Sequence, residues 1–127
     1  MNRRIVIGDI HGCIRTFRML VEEKIKLKKT DTLFLTGDYI DRGPDSKAVT
    51  DYIMRLKEES YEVVALMGNH EYLLLHAMES WEYFKLWMLN SGGTTLHDFG
   101  IDTENHAGPE VISRIPAPYL DFFRDFS

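Results

Sequence analysis

Three short segments of this 127-residue sequence combine carboxylate, imidazole and amide side chains with flanking glycines. The segments are residues 8–12 (GDIHG), 37–43 (GDYIDRG) and 68–71 (GNHE). Carboxylates, imidazoles and amide oxygens are side chains that bind divalent metals in proteins. The guanidinium in the second segment adds a planar fork that suits phosphate oxygens. Together these residue types predict a metal site that handles a phosphate group.

Each segment also has an ordinary structural alternative. Asp9 and His11 are two residues apart, so in extended chain they would point to one side and clip a metal. Alternatively, Asp9 could cap the next helix, and Asn69 could be a helix N-cap. Asp41 and Arg42 could form a local ion pair within a polar turn. The metal interpretation is preferred because the ordinary alternatives would have to hold in all three segments at once.

Each segment follows a short apolar run that predicts a buried β-strand, at residues 4–7, 32–35 and 63–66. Helical spacing of apolar residues between these runs predicts the order strand, helix, strand, helix, strand. We therefore predict an α/β fold built on a parallel βαβαβ unit with right-handed crossovers and helices flanking the sheet. Ligands of such sheets bind beyond the carboxyl ends of the strands, so the three segments would meet at one edge.

The predicted helices are spread along the whole chain. Apolar residues at helical spacing lie between the strands at residues 14–25 and 49–56, the second stretch following a start signal at residues 44–46. A mainly helical segment then follows the sheet, with candidates at residues 73–78, 81–88, 111–115 and 119–126. Residues 90–93 (NSGG) are expected to break the helix that precedes them.

The three segments resemble the signature blocks of the calcineurin-like metallophosphoesterases. The Asp-Arg-Gly ending of the second block is similar to the branch of serine/threonine protein phosphatases and diadenosine tetraphosphatases. Residues 87–96 (WMLNSGGTTL) resemble a bacterial protein-phosphatase segment, with Ser91 where that segment has glycine. The resemblance implies half of the family's β-sandwich and hydrolysis of phosphomonoesters by a metal-bridging hydroxide. A serine/threonine or dual-specificity protein phosphatase is the first expectation, and a diadenosine tetraphosphate hydrolase is the alternative.

The resemblance also implies a set of metal ligands. Asp9 and His11 would bind the first of two divalent metal ions, Asp38 would bridge both ions, and Asn69 would bind the second. Manganese is the metal that the resemblance implies. Iron or zinc would also suit this mixture of carboxylate, imidazole and amide oxygen.

Four residues are expected to act on the substrate. His70 would be the general acid that protonates the leaving group, and Asp41 would hold His70 in place. Arg42 would bind the phosphate, with Asn90 nearby in a supporting role. The expected substrate is a phosphoprotein or a small phosphoester.

The sequence departs from the family pattern in its last third. The family supplies two further metal-binding histidines from later strands, and His106 does not fit that role because polar residues precede it. We interpret His106 as a loop histidine. Residues 1–127 are therefore expected to form a single domain truncated at its C-terminal side. The apolar surface left uncovered would favour a homodimer, and an inactive remnant that serves as an interaction module is a third alternative.

Composition excludes several other classes of protein. The net charge of −5 and the pI of about 5.5 argue against binding to nucleic acid. No apolar run approaches the length of about 18 residues that crosses a membrane, so we expect a cytoplasmic protein. Cys13 is the only cysteine, which excludes an internal disulfide. We expect Cys13 to be buried, His76 to pack within a helix, and His97 to lie on the surface.

Overall fold

A computed structural model describes residues 2–104 and 108–126 of the chain. Within these residues the elements alternate between strands and helices and then become entirely helical. They are β1 (Arg4–Ile7), α1 (Ile14–Met19) followed directly by a π-helix (Leu20–Ile25), β2 (Thr32–Leu35), α2 (Ser46–Glu58), β3 (Glu62–Ala65), α3 (Asn69–Ala77), α4 (Trp81–Leu89), α5 (Gly92–Asp98), a 3-10 helix (Pro109–Arg114) and α6 (Ala117–Arg124).

The three strands form one parallel sheet in the order β1-β2-β3. Val6 pairs with Phe34, and Phe34 pairs with Val64, so the three strands run in register and end at the same edge. The predicted α/β fold, with a parallel sheet flanked by helices and a helical segment after it, is confirmed. Its consequence for function is that the loops after the strands lie side by side.

Helix α2 shows how local sequence fixes an element. Asp45 is its N-cap, and the carboxylate of Asp45 accepts a hydrogen bond from the Ala48 N–H at 2.9 Å. This cap agrees with the start signal expected at residues 44–46. The apolar face of α2 is buried in the core and consists of Val49, Tyr52, Ile53 and Leu56.

The two faces of the sheet differ in how well they are covered. Leu33 and Leu35 of the central strand point to one face and are fully buried. The opposite face carries the row Val6, Phe34 and Val64, of which Val6 is 65% exposed and the other two are half-buried. This exposed apolar row is one of the surfaces that a further polypeptide could cover.

Helix α5 differs from the expectation that residues 90–93 only interrupt a helix. Ser91 adopts a left-handed conformation (φ 73°), and a new helix begins at Gly92. A Cβ on Gly92 would lie 2.4 Å from the ring of Trp87, so glycine allows α5 to fold directly against that ring. Glycine at position 92 therefore permits a close contact between α5 and Trp87, and periodicity alone does not predict this contact.

The structure agrees only in part with the expectations for Cys13, His76 and His97. The expectation of a buried Cys13 is wrong, because Cys13 is the residue before α1 and its side chain is exposed. His76 lies in α3 as expected but is exposed, with its ring 3.9 Å from the Tyr72 ring. His97 lies on the surface with 91% of its side chain exposed. His106 lies outside the described residues, which contain no helix long and apolar enough to cross a membrane.

Candidate metal centre

The candidate site lies at the carboxyl edge of the sheet, where the loops after β1, β2 and β3 meet. The first two loops are joined through their backbones. The His11 N–H donates to the Asp38 carbonyl at 2.9 Å, and the Gly12 N–H donates to the Tyr39 carbonyl at 2.8 Å. These bonds hold two ligand-bearing loops in a fixed relation without using any of their side chains.

Glu71 joins the second loop to the third. Its buried carboxylate accepts N–H bonds from Asp38 (2.8 Å), Tyr39 (2.9 Å) and Gly68 (3.1 Å), with a longer one from Ile40 (3.3 Å). Burial raises the pKa of Glu71 to about 7, while the bonds from the backbone N–H groups favour the ionised form and oppose the rise. Glu71 belongs to the segment 68–71, but its role in joining two loops was not predicted from the sequence.

Left-handed backbone conformations cluster in these loops. The non-glycine residues concerned are His11 (φ 41°), Asp38 (φ 58°), Asp41 (φ 70°) and Arg42 (φ 71°). Residues other than glycine rarely adopt positive φ, and such strain is concentrated at functional sites. The expectation that Asp9 and His11 meet through extended chain is therefore wrong, because the chain at His11 is turned.

Glycine is required at Gly43 because two loops come into backbone contact there. A Cβ at this position would lie 1.6 Å from the His11 carbonyl oxygen. No side chain fits in that space, so the second loop can pass close behind the first only with glycine.

Asp9, His11 and Asp38 form a compact ligand group. Each offers one ligand atom, and these atoms lie within 4.8 Å of one another. His11 Nδ1 lies 2.9 Å from the Ile40 carbonyl, which can only accept, so Nδ1 carries the proton and Nε2 is free to bind a metal. A hydrogen bond of this kind orients most metal-binding histidines. Two carboxylates and an oriented imidazole therefore fit a divalent transition metal.

The ligand group opens into a cleft of about 430 Å³. The side chains of Arg42, Asn69, His70 and Asn90 line the same cleft, with Tyr72, Leu73 and Leu86 along one wall. Every residue that the sequence singled out for chemistry thus lines this cleft, except Asp41, which lies behind it. One amide N–H of Asn90 is committed to the Leu86 carbonyl at 2.8 Å.

Asp41 is fully buried and contacts His70 rather than Arg42. Asp41 Oδ2 lies 2.8 Å from His70 Nδ1, which leaves His70 Nε2 for other contacts. Burial raises the pKa of Asp41, and hydrogen bonds from Thr95, His70 and Trp87 oppose that rise. The local Asp41–Arg42 ion pair considered as an alternative is therefore not what holds this carboxylate.

Trp87 and Thr95 are the residues around Asp41 that the sequence analysis did not assign to the site. The Trp87 indole N–H donates to Asp41 Oδ2 at 2.8 Å, and the Thr95 hydroxyl donates to Asp41 Oδ1 at 2.5 Å. The only signal was their presence in residues 87–96, the segment that resembles bacterial protein phosphatases. That segment indicated Asn90 and gave no reason to connect Trp87 or Thr95 with Asp41.

Comparisons with known proteins agree with this geometry. The family model for calcineurin-like phosphoesterases matches residues 3–123. The chain is 35% identical over 112 residues to a zinc-dependent endopolyphosphatase of Saccharomyces cerevisiae, an alignment that covers 87% of this chain and 32% of the yeast protein. It is 44% identical over 70 residues to a symmetrical bis(5'-nucleosyl)-tetraphosphatase of Photorhabdus laumondii, covering 55% of this chain and 24% of that one.

The fold has a counterpart among solved structures. A crystal structure of a proposed diadenosine tetraphosphatase superposes with a TM-score of 0.62 at 21% sequence identity, covering 98% of this chain and 46% of the other. The chain thus spans less than half the length of each of these three proteins. The match of the family model to nearly all of the sequence shows that the chain belongs to the calcineurin-like phosphoesterase family.

Proposed function

We propose that this chain is a metal-dependent phosphoesterase whose active site is the cleft at the carboxyl edge of the sheet. The observation that carries the proposal is the meeting of the Asp9, His11 and Asp38 ligand atoms within 4.8 Å, in a cleft that Arg42 and His70 also line. Metal ligands, a phosphate-binding guanidinium and an oriented imidazole are the parts that phosphoester hydrolysis requires.

The metal ions would be held by Asp9, His11 and Asp38, with Asn69 added for a second ion. When bound, divalent metals supply Lewis acidity and a water of lowered pKa. We propose manganese, as the resemblance implies. Zinc is a second candidate because the name of the yeast relative specifies zinc dependence.

The protein's own groups would act on the substrate in two ways. Arg42 lies exposed in the cleft, where its guanidinium can bind two phosphate oxygens. His70 would donate a proton from Nε2 to the leaving oxygen, while Asp41 holds Nδ1 at 2.8 Å and stabilises the charged imidazolium. Asn90 would support the phosphate through its remaining polar atoms.

A phosphoserine, phosphothreonine or phosphotyrosine side chain is the first substrate we propose, because residues 37–43 and 87–96 resemble protein phosphatase segments. A dinucleoside polyphosphate is the second candidate. It is favoured by the 44% identity to a protein named as a bis(5'-nucleosyl)-tetraphosphatase. The cytoplasmic location and the homodimer expected from the sequence stay predictions.

Metal content measured together with turnover tests the proposal. We expect the purified chain to bind Mn²⁺ and to hydrolyse p-nitrophenyl phosphate only when that metal is present. Asp38→Asn should lose both properties, whereas Asp51→Asn, a half-buried aspartate on α2, should keep them. A folded sample with little metal and no turnover would instead support the inactive interaction module.

A comparison of kcat/KM for two substrates would separate the two substrate candidates. A phosphopeptide and diadenosine tetraphosphate should be compared as substrates at equal concentration, by release of inorganic phosphate and of nucleotide respectively. A higher kcat/KM for the phosphopeptide supports the protein phosphatase assignment. A higher value for the dinucleotide supports the second candidate.

A further inference from the structure

We infer that Trp87 and Thr95 are positioning residues, which hold Asp41 and His70 in the orientation for proton donation; the inference rests on the proposed function. The two residues reach Asp41 from α4 and α5, across sequence separations of 46 and 54 residues. Each contacts a different carboxylate oxygen. Trp87 Nε1 lies 2.8 Å from Oδ2, and Thr95 Oγ1 lies 2.5 Å from Oδ1.

The directions of these hydrogen bonds follow from the donor and acceptor chemistry. An indole N–H can only donate, so Oδ2 of Asp41 is an acceptor. An ionised carboxylate oxygen can only accept, so the Thr95 hydroxyl donates its proton to Oδ1. The same hydroxyl accepts the Asp41 N–H at 3.0 Å and lies 3.1 Å from the Ser46 hydroxyl. His70 Nδ1 then shares Oδ2 with Trp87. Donors on both oxygens fix the rotation of the carboxylate, and the carboxylate fixes the imidazole.

Burial makes this arrangement sensitive to change. Asp41, Trp87 and Thr95 are fully buried, so a water molecule cannot replace a donor that a substitution removes. A buried carboxylate that loses a donor turns toward its remaining partners, because an unmade hydrogen bond in the interior is costly. The imidazole of His70 would turn with it and move Nε2 away from the leaving oxygen.

Helix α5, which carries Thr95, also holds the backbone of the second loop and of the start of α2. Thr94 Oγ1 accepts the Arg42 N–H at 3.1 Å, and Asp98 Oδ2 accepts the Ser46 N–H at 2.7 Å. Gly92 permits the contact with the Trp87 ring that brings α5 to this loop. Trp87 and Thr95 thus support Asp41 from behind the cleft, Gly92 makes room for the Trp87 ring, and Thr94 holds the backbone of Arg42 beside them.

If Trp87 and Thr95 position the general acid, the loss of kcat in their variants should depend on how much the leaving group needs a proton. Phenolate from phenyl phosphate needs a proton as it leaves, whereas dinitrophenolate from 2,4-dinitrophenyl phosphate does not. We expect Thr95→Val and Trp87→Phe to lower kcat for phenyl phosphate about 10-fold to 100-fold, as supporting residues commonly do. For the dinitrophenyl ester we expect a loss of less than about 3-fold, because general acid catalysis contributes little there.

Two matched variants separate positioning from general destabilisation. Thr95→Ser keeps the hydroxyl and should retain activity on both esters. Thr50→Val makes the same change at an equally buried threonine, whose hydroxyl bonds only to the Ser46 carbonyl at 2.9 Å. We expect any loss of kcat in Thr50→Val to be the same for phenyl phosphate and for the dinitrophenyl ester. Equal losses on the two esters in Thr95→Val and Trp87→Phe would overturn the inference.

A readout that does not need turnover keeps this inference distinct from the proposed function. Nitrogen NMR of the histidine rings, with His70 assigned by the signal lost in His70→Gln, should show the neutral form of His70 as a single tautomer with its proton on Nδ1, to which the second proton is added at Nε2 when the ring becomes the acid. Thr95→Val or Trp87→Phe should yield mixed tautomers or broadened signals, and Thr50→Val should not. Wild-type inactivity on both esters would defeat the proposed function alone. Unchanged His70 signals in both variants would defeat the positioning role.

Discussion

Asp31 directly precedes strand β2 and Asp41 lies in the loop that follows it, and both are almost fully buried, but they are held by different kinds of partner. Asp31 receives the Arg3 guanidinium through two bonds of 3.0 and 2.7 Å and the Lys28 N–H at 2.8 Å. Those bonds lower the pKa of Asp31 to about 2. At the other end, burial raises the pKa of Asp41, whose partners are two neutral donors and one histidine.

The difference shows what separates a structural carboxylate from one that serves chemistry. Arginine stays protonated at any pH a protein tolerates, so the Arg3–Asp31 pair only ties the chain before β1 to the chain before β2. Histidine gains and loses its proton near neutral pH, so the Asp41–His70 pair can take part in proton transfer. Asp31 therefore faces a permanently charged partner, Arg3. Asp41 faces His70, whose proton can be exchanged.

Exchanging each aspartate for asparagine should give the largest contrast. Asp41→Asn removes the charge that supports His70, and we expect kcat for phenyl phosphate to fall about 100-fold or more. Metal content should stay nearly unchanged, because Asp41 is not among the proposed ligands. Asp31→Asn should leave kcat within about 2-fold, because Asp31 does not line the cleft, while lowering stability through the weakened bond to Arg3. Similar losses of kcat in both variants would remove the functional distinction between the two ends.

Glu71 extends the comparison to a carboxylate whose donors are all backbone groups. In Glu71→Gln the amide NH₂ would face backbone N–H groups of Asp38, Tyr39 or Gly68, so at least one donor loses its acceptor. We expect the free energy of unfolding to fall by about 3 kcal/mol. Urea denaturation of the metal-free protein measures this change. Glu22→Gln, on the exposed surface of the π-helix, is the control and should change stability by less than about 1 kcal/mol.

The substitution Gly43→Ala tests whether the contact between the first two loops tolerates one added methyl group. A methyl group there would overlap the His11 carbonyl, so Gly43→Ala should separate the first two loops. We expect a loss of about 2 kcal/mol in stability and weaker Mn²⁺ binding, measured by denaturation and by calorimetric titration. Gly93→Ala is the matched control, because its added Cβ would lie 3.5 Å from Met88 Cε, an ordinary contact. Unaltered metal affinity in Gly43→Ala would contradict the proposed loop contact.

The pH dependence of stability should show the smallest effect, at the amino end. Asp31 has a pKa of about 2 in the folded chain, below its ordinary value of 3.8. Its contribution is therefore fully present above about pH 4 and is lost as the pH falls through about 2. Arg3→Ala should flatten the decline in unfolding free energy across this window, as measured by denaturant titrations at pH 5, 4, 3 and 2. An identical decline in both proteins would show that Arg3 does not set the pKa of Asp31.

The sequence was sufficient for the features that depend on short stretches of chain. Apolar runs of four residues predicted the three strands, and the polar residues after each run predicted which side chains would share a cleft. These features are local, and the parallel order of the sheet brings them together without further information.

The features that escaped prediction depend on contacts between distant residues. Helix α5 begins at Gly92, where glycine leaves room for the Trp87 ring, and a helical period cannot reveal that contact. Likewise, nothing in the neighbourhood of Trp87 or Thr95 indicates a bond to Asp41 across about 50 residues. The left-handed residue His11 donates its N–H to the Asp38 carbonyl in the second loop, a contact that the sequence around His11 does not indicate.

Anomalous diffraction from a crystal grown with Mn²⁺ tests the central claim most directly. We predict at least one manganese peak bound jointly by Asp9, His11 and Asp38, and a second about 3.5–4 Å away beside Asn69. Manganese peaks only at other positions, or none in a crystal whose three loops superpose on this structure, would contradict the account.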